Sequence, residues 1–216
     1  MSRLIKRTIS KAEIRVLPIV AFGGRIITIQ TVADAEKAVE FLLTQKMVGV
    51  DTETRPSFVS GKSYKVSLLQ VSTDEVCFLF RLNYIGFPVS IQRFLEDVNV
   101  MKIGLSLKDD FGALHKRSDF KPGEFIDLQD YVRKFCIEDL SLQKIYAILF
   151  GQRISKNQRL SNWEAEVLND KQKLYAATDA WACLMIYRYM EHLWRTGNYH
   201  IEEKKIETTV KEEHGM

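Results

Sequence analysis

The sequence predicts a single α/β domain, a mixed β-sheet flanked by helices. Three β-prone runs follow one another, Met47–Thr54, Tyr64–Ser72 and Val76–Phe80, joined by the turn-rich stretches RPSFVSGKS and STDE. Helical periodicities then alternate with one short strand-like run and end in a long C-terminal helix. The 216 residues, 46% of them hydrophobic, suffice for one substantial core but not for two large ones.

Residues 1–30 are loosely patterned and read as an N-terminal extension; the domain is expected over 31–196, with a charged tail over 197–216. TVADAEKAVEFLL sets Val32, Ala35, Val39 and Leu42 near helical spacing. The three β runs after it form an antiparallel meander. SIQRFLEDV reads as a helix, VMKIGL as a short strand, and Ser106 to Lys116 as a helix. Helices follow near Gln129–Phe135 and Ser141–Leu149, and the last runs from about Asn169 to Trp194. EEKKIETTVKEEHGM has no periodic apolar residues and is expected to fray.

Composition narrows the class. Charged residues make up 27% of the chain, and no apolar run approaches a membrane span, so no membrane partner is expected. The basic N-terminus is interrupted before any signal core, and a cytoplasmic protein is the expectation. Cys77, Cys136 and Cys183 are far apart and form no C-x-x-C pair, which suggests neither a zinc site nor a disulfide framework. A net charge of +3 says little about partners, but its distribution says more. Residues 1–30 hold Arg3, Lys6, Arg7, Lys11, Arg15 and Arg25 against the single acid Glu13, and GQRISKNQR forms a second basic patch. Such patches either track phosphates or stay solvated.

Four carboxylates stand where apolar residues are expected. Asp51 and Glu53 end the run MVGV and, at i and i+2, share one strand face. On the last helix Tyr175, Asp179, Ala182 and Ile186 share one stripe, which puts an aspartate on a face that reads as core. In GLSLKDDFGAL the apolar face is Leu107, Phe111 and Leu114; Asp110 lies about 60° from Leu107, and Asp109 about 160° away. Asp110 is therefore the anomalous neighbour and Asp109 the solvated one. A turn cap accounts for Asp51 alone, and an ion pair at the stripe's edge accounts for Asp179 alone. One cluster holding divalent metal accounts for all four, since hard cations take carboxylate oxygens.

These segments also carry a resemblance. DTE at Asp51–Glu53, GLSLKDD ending at Asp110 and YAATDA with Tyr175 and Asp179 resemble, in order, the three motifs of the DEDD exonucleases in their tyrosine subclass. KVSLLQV, RLSNW and QKLYAATDAWA are similar to the ribonuclease D-like branch, and the likeness covers roughly Val48 to Met190. It implies a ribonuclease H-like fold and a 3′→5′ exonuclease that uses two divalent ions, Mg²⁺ or Mn²⁺, to release nucleoside 5′-monophosphates. The partner implied is nucleic acid with a free 3′ end, DNA slightly ahead of RNA. The resemblance makes Asp51 a bridge between both ions, with Glu53 and Asp179 completing the site that holds the attacking water. Asp110 then holds the second ion, and Tyr175 orients the water. A catalytically silent binding domain and a ribonuclease D-like RNA-processing enzyme are the alternatives.

An exonuclease grips a frayed end by stacking and phosphate contacts. Arg55 is placed to meet a phosphate; Phe58 either meets a base or packs under its own loop. Arg153, Lys156 and Arg159 either guide the backbone or form a solvated loop. Trp163 and Trp181 read as core.

Overall fold

The structure, a computed structural model, describes residues 2–203. In chain order the elements are β1 (Arg3–Ile5), α1 (Lys11–Arg15), β2 (Ile19–Val20), β3 (Arg25–Ile29) and α2 (Val32–Leu43). The meander follows as β4 (Met47–Thr54), β5 (Val66–Ser72) and β6 (Val76–Arg81), then α3 (Leu82–Ile85) and α4 (Val89–Glu96). Next come β7 (Met101–Gly104), α5 (Leu107–Leu114), β8 (Phe125–Asp127), α6 (Leu128–Tyr131) and a 3-10 turn (Val132–Phe135). The last elements are α7 (Leu142–Phe150), β9 (Arg153–Ile154), α8 (Asp170–Thr196) and β10 (Tyr199–Ile201). Among the described residues no helix is long and apolar enough to cross a membrane.

The main sheet has the order β3-β6-β5-β4-β7-β8. Its β6-β5-β4 centre is the antiparallel meander, while β3, β7 and β8 pair in parallel at the edges. Alternation along the strands sends Val48, Val50, Leu69, Val71, Phe78 and Phe80 to one face, into a core shared with α2 and α4. Leu68, Cys77 and Leu79 point to the other face and pack on Ala176 and Ala177 of α8. Asn169 and Gln172 form a capping box that fixes where α8 starts.

Small residues set how closely α8 lies over the sheet. A Cβ built on Gly49 of β4 would stand 1.9 Å from the Ala180 carbonyl oxygen, so only glycine fits there. Gly49→Ala is expected to lower the unfolding free energy by about 2–3 kcal/mol, as overpacking does where backbone must give way, and urea denaturation measures it.

Residues 1–30 differ from the expected extension because they are built into the fold. β3 is the edge strand of the main sheet, β2 pairs with β9, and β1 pairs with β10. The Phe22 amide also donates to Thr178 Oγ1 of α8 at 3.0 Å. Strands of two or three residues have no period of their own; their partners' backbone defines them. For the same reason Tyr199–Ile201, expected in the charged tail, is a strand. The rest of the expected fraying, residues 204–216, lies outside the described residues. The helix expected near Gln129–Phe135 is two pieces, α6 and the 3-10 turn, stopped by Cys136 in the left-handed region at φ 55°.

Candidate active site

β4 carries Asp51 and Glu53 past the end of its partner β7, which pairs only with Met47–Gly49. The register with β5 sets Asp51 opposite Gln70 and Glu53 opposite Leu68, and it shifts just beyond, between Glu53 and Thr54. Both carboxylates therefore face α8 at the open corner of the sheet, where Asp179 comes down from the helix. Asp51, Glu53 and Asp179 each offer an oxygen, and these oxygens all lie within 4.8 Å of one another. Asp179 is buried on the stripe that the helical wheel assigned to the core.

Asp110 arrives on α5 and stands outside that close group. Thr52 Oγ1 donates to its carboxylate at 2.5 Å, and its charge still acts on Asp51 and Glu53. Asp109 is exposed, as its place on the wheel requires. The start of α5 is fixed by Asp127, a residue the sequence reading passed over. Its carboxylate accepts the Ser106 and Leu107 amides at 3.1 and 2.8 Å, which holds Ser106 in the left-handed region at φ 63°. Asp127 is also the N-cap of α6, accepting the Gln129 amide at 2.9 Å, and an aspartate directly before that helical run was its signal.

Crowding shapes the electrostatics. Burial holds the Asp51 carboxyl well above the usual carboxylate range, and Asp110, Asp179 and Glu53 add to the shift. Glu53 is pushed up to about 9, first by burial and then by Asp179 and Asp110, while Arg159 pulls it back. Asp110 and Asp179 are also raised, chiefly by burial; Thr52 opposes the shift at the first, and Tyr175 and Lys156 oppose it at the second. The Tyr175 hydroxyl is raised above its ordinary value by burial, then by Asp179 and Glu53, and its ring lies 6.0 Å from that of the fully buried Trp163.

The donor set fits a hard divalent cation. Its oxygens converge from β4 and α8, and Lys156 and Arg159 offset their repulsion only in part, since all of these carboxyls stay raised. Opposite Asp51, the Gln70 amide is completely buried, and neither its oxygen nor its nitrogen has a partner among the described residues. A polar break in the apolar run KVSLLQV was its signal. Cys183 lines the same cavity, but burial and then the carboxylates hold its thiol well above its ordinary value, so it stays protonated.

The remaining candidates divide. Lys156 and Arg159 line a cavity of about 190 Å³ together with Asp51, Tyr175 and Asp179. Arg153 lies further out: its Nε donates to the Leu17 carbonyl at 3.0 Å, so part of its role is to tie β9 to the N-terminal segment. Arg55 is paired with Glu164 at 3.3 Å and lies 4.8 Å over the Tyr64 ring. Phe58 is 84% exposed, which rules out packing under its own loop. Trp163 is core, and Trp181 packs against the core partly buried.

A family profile described as 3′-5′ exonuclease matches residues 26–194. The chain belongs to that family. It is 30% identical over 217 residues to the mouse bifunctional 3′-5′ exonuclease/ATP-dependent helicase WRN, covering 91% of this chain but only 16% of that protein. An Arabidopsis thaliana 3′-5′ exonuclease is 29% identical over 201 residues, 86% of this chain and 70% of its own length. Among solved structures, the Nibbler EXO domain of Aedes aegypti superposes with a TM-score of 0.71 at 20% identity, over 80% of this chain and 90% of that one. Escherichia coli RNase D does so with a TM-score of 0.68 at 20% identity, over 81% of this chain and 46% of that one. The structural likenesses show the fold, a mixed sheet flanked by helices.

Proposed function

We propose that this domain is a two-metal-ion 3′→5′ exonuclease of the tyrosine subclass, releasing nucleoside 5′-monophosphates from a free 3′ end. The convergence of Asp51, Glu53 and Asp179 oxygens within 4.8 Å carries the reading, because three crowded, largely buried carboxylates are costly to ionise unless a cation lies among them. In this reading Asp51, Glu53 and Asp179 would hold one Mg²⁺ or Mn²⁺ ion, and Asp110 with Asp51 would hold a second. Bound at such a site, the ions supply charge that clamps a phosphodiester and lowers the pKa of water.

The chain's own residues do the rest. Tyr175 keeps its proton at neutral pH and orients the attacking water. Lys156 and Arg159 neutralise phosphate oxygens at the cavity they line with Asp51 and Asp179. Phe58, exposed beyond the first motif, is placed to stack on a base, and Arg55 reaches a phosphate only by leaving Glu164. A silent binding domain, the alternative from sequence, leaves the crowded carboxylates without a purpose.

DNA remains the leading substrate in this reading; a ribonuclease D of Trypanosoma brucei solved in complex with RNA U12 shares the fold, with a TM-score of 0.68. Digesting matched 5′-labelled DNA and RNA strands, single and paired, in Mn²⁺ and sizing the products tests both parts. Stepwise shortening from the 3′ end is expected, faster on DNA. Internal cuts or 5′ trimming would overturn the activity, and faster loss of RNA would reverse the substrate.

Neighbouring aspartates give a sharper check. Asp110→Asn is expected to lower kcat by about 10²-fold or more, through weakened hold on the second ion, whose charge stabilises the reacting phosphate. Asp109→Asn, on the exposed side of α5, is expected to stay near wild type. Equal losses in single-turnover rates would show that α5 does not present Asp110 to the reaction.

A further inference from the structure

Beside the carboxylate cavity lies a larger one, about 500 Å³ against about 190 Å³. Its lining includes Lys11, Arg15, Arg153, Lys156 and Arg159, and no aspartate or glutamate. Gln143, Lys156 and Arg159 line both cavities, so the outer trough opens directly onto the carboxylates. Among the described residues none of these five cations takes part in an ion pair. Five like charges around one trough repel each other unless a polyanion lies between them.

The N-terminal segment builds one wall of this trough on purpose-made geometry. Ser10 and Glu13 form a capping box that starts α1. That box turns the helix's one acid away: Glu13 accepts the Ser10 amide at 2.9 Å and Lys6 Nζ at 2.8 Å. Ile14 is buried in the core and anchors the helix. Lys11 and Arg15, at i and i+4, are left side by side on one face. α1 precedes the residues 26–194 that the family profile matches.

We propose that α1 and the β9 loop form a phosphate track that holds the nucleic-acid strand upstream of its 3′ end, with Lys11 and Arg15 as its outer contacts. The proposal rests on the exonuclease reading for the direction of the strand. Lys156 and Arg159 are shared between the track and the reaction cavity, so a strand threaded along the trough presents its terminal phosphodiester to Asp51 and Asp179.

Salt dependence of binding tests this without turnover. A fluorescent single-stranded oligonucleotide of about 10 nucleotides, within the range of single-strand site sizes, is titrated with the full chain at several salt concentrations without divalent cations. For the double variant Lys11→Ala/Arg15→Ala, the slope of log K against log salt is expected to shrink by about 1.4, two contacts at roughly 0.7 each. A dinucleotide, too short to leave the inner cavity, should bind both proteins with the same slope. Lys37→Ala/Lys46→Ala, on and beside α2 across the sheet, should match wild type. An unchanged slope in the α1 variant, an equal loss in the α2 control, or poly-glutamate competing as well as the oligonucleotide would each overturn the track. Release of 3′ nucleotides by the wild-type chain tests the exonuclease reading separately; its failure would leave the slope result standing as a binding site without that direction.

Discussion

Asp51→Asn is expected to abolish turnover and, in the same protein, to erase most of the thermal stabilisation that Mn²⁺ gives the wild-type chain. Asp51 sits at the centre of the repulsion: Asp110, Asp179 and Glu53 all act on it. A ligand that binds only the folded state stabilises it by RT ln(1 + [L]/Kd), about 2.7 kcal/mol at a hundredfold excess over Kd. For a domain of this size that is a rise in Tm of roughly 5–10 °C. Without metal that increment is absent: burial and crowding already disfavour the charged form of Asp51, and the neutral, nearly isosteric amide of Asp51→Asn should melt at or above the wild-type temperature. The rate should fall by about 10³-fold or more, corresponding to several kcal/mol of lost charge stabilisation. A variant that melts lower without metal, yet keeps the full Mn²⁺ shift, would mean that Asp51 is a structural residue.

Tyr175→Phe should separate chemistry from metal binding. The hydroxyl is one helical turn from Asp179 on the same helix, and the two groups influence each other's titration. Burial and the neighbouring carboxylates raise its pKa, so it keeps its proton at neutral pH, and the role proposed for it is to hold a water in line. Loss of that position is expected to lower kcat by roughly 10²-fold or more, with KM within a few-fold. Phenylalanine keeps the ring against Trp163, so neither the fold nor the Mn²⁺-induced shift should change. Near-normal kcat would make Tyr175 a packing residue whose hydroxyl is idle.

What the sequence made legible follows from periodicity. A strand face and a helical wheel needed no coordinates to single out Asp51, Glu53, Asp110 and Asp179, because each breaks an apolar pattern long enough to define a face. The same wheel separated Asp110 from the exposed Asp109. Periodicity also gave the meander, since β4, β5 and β6 each run for six residues or more. It gave nothing at the N-terminus, where β1 and β2 have three and two residues and exist through their partners β10 and β9. Interactions that need two distant elements were equally hidden. The Thr52–Asp110 hydrogen bond joins β4 to α5, and the isolation of Gln70 depends on α8 covering it. The basic N-terminus was visible as composition, but that Lys11 and Arg15 meet Arg153, Lys156 and Arg159 around one trough was not.

The most direct measurement is of the ions themselves. Electron paramagnetic resonance during Mn²⁺ titration of the wild-type chain, with a nucleoside 5′-monophosphate present to stand in for the product, counts bound ions and reads their proximity. The expected result is two ions per chain with the spin coupling of a close pair, collapsing in Asp51→Asn, the residue proposed to bridge them. Uncoupled ions in the wild type, or the same coupled signal in Asp51→Asn, would contradict it.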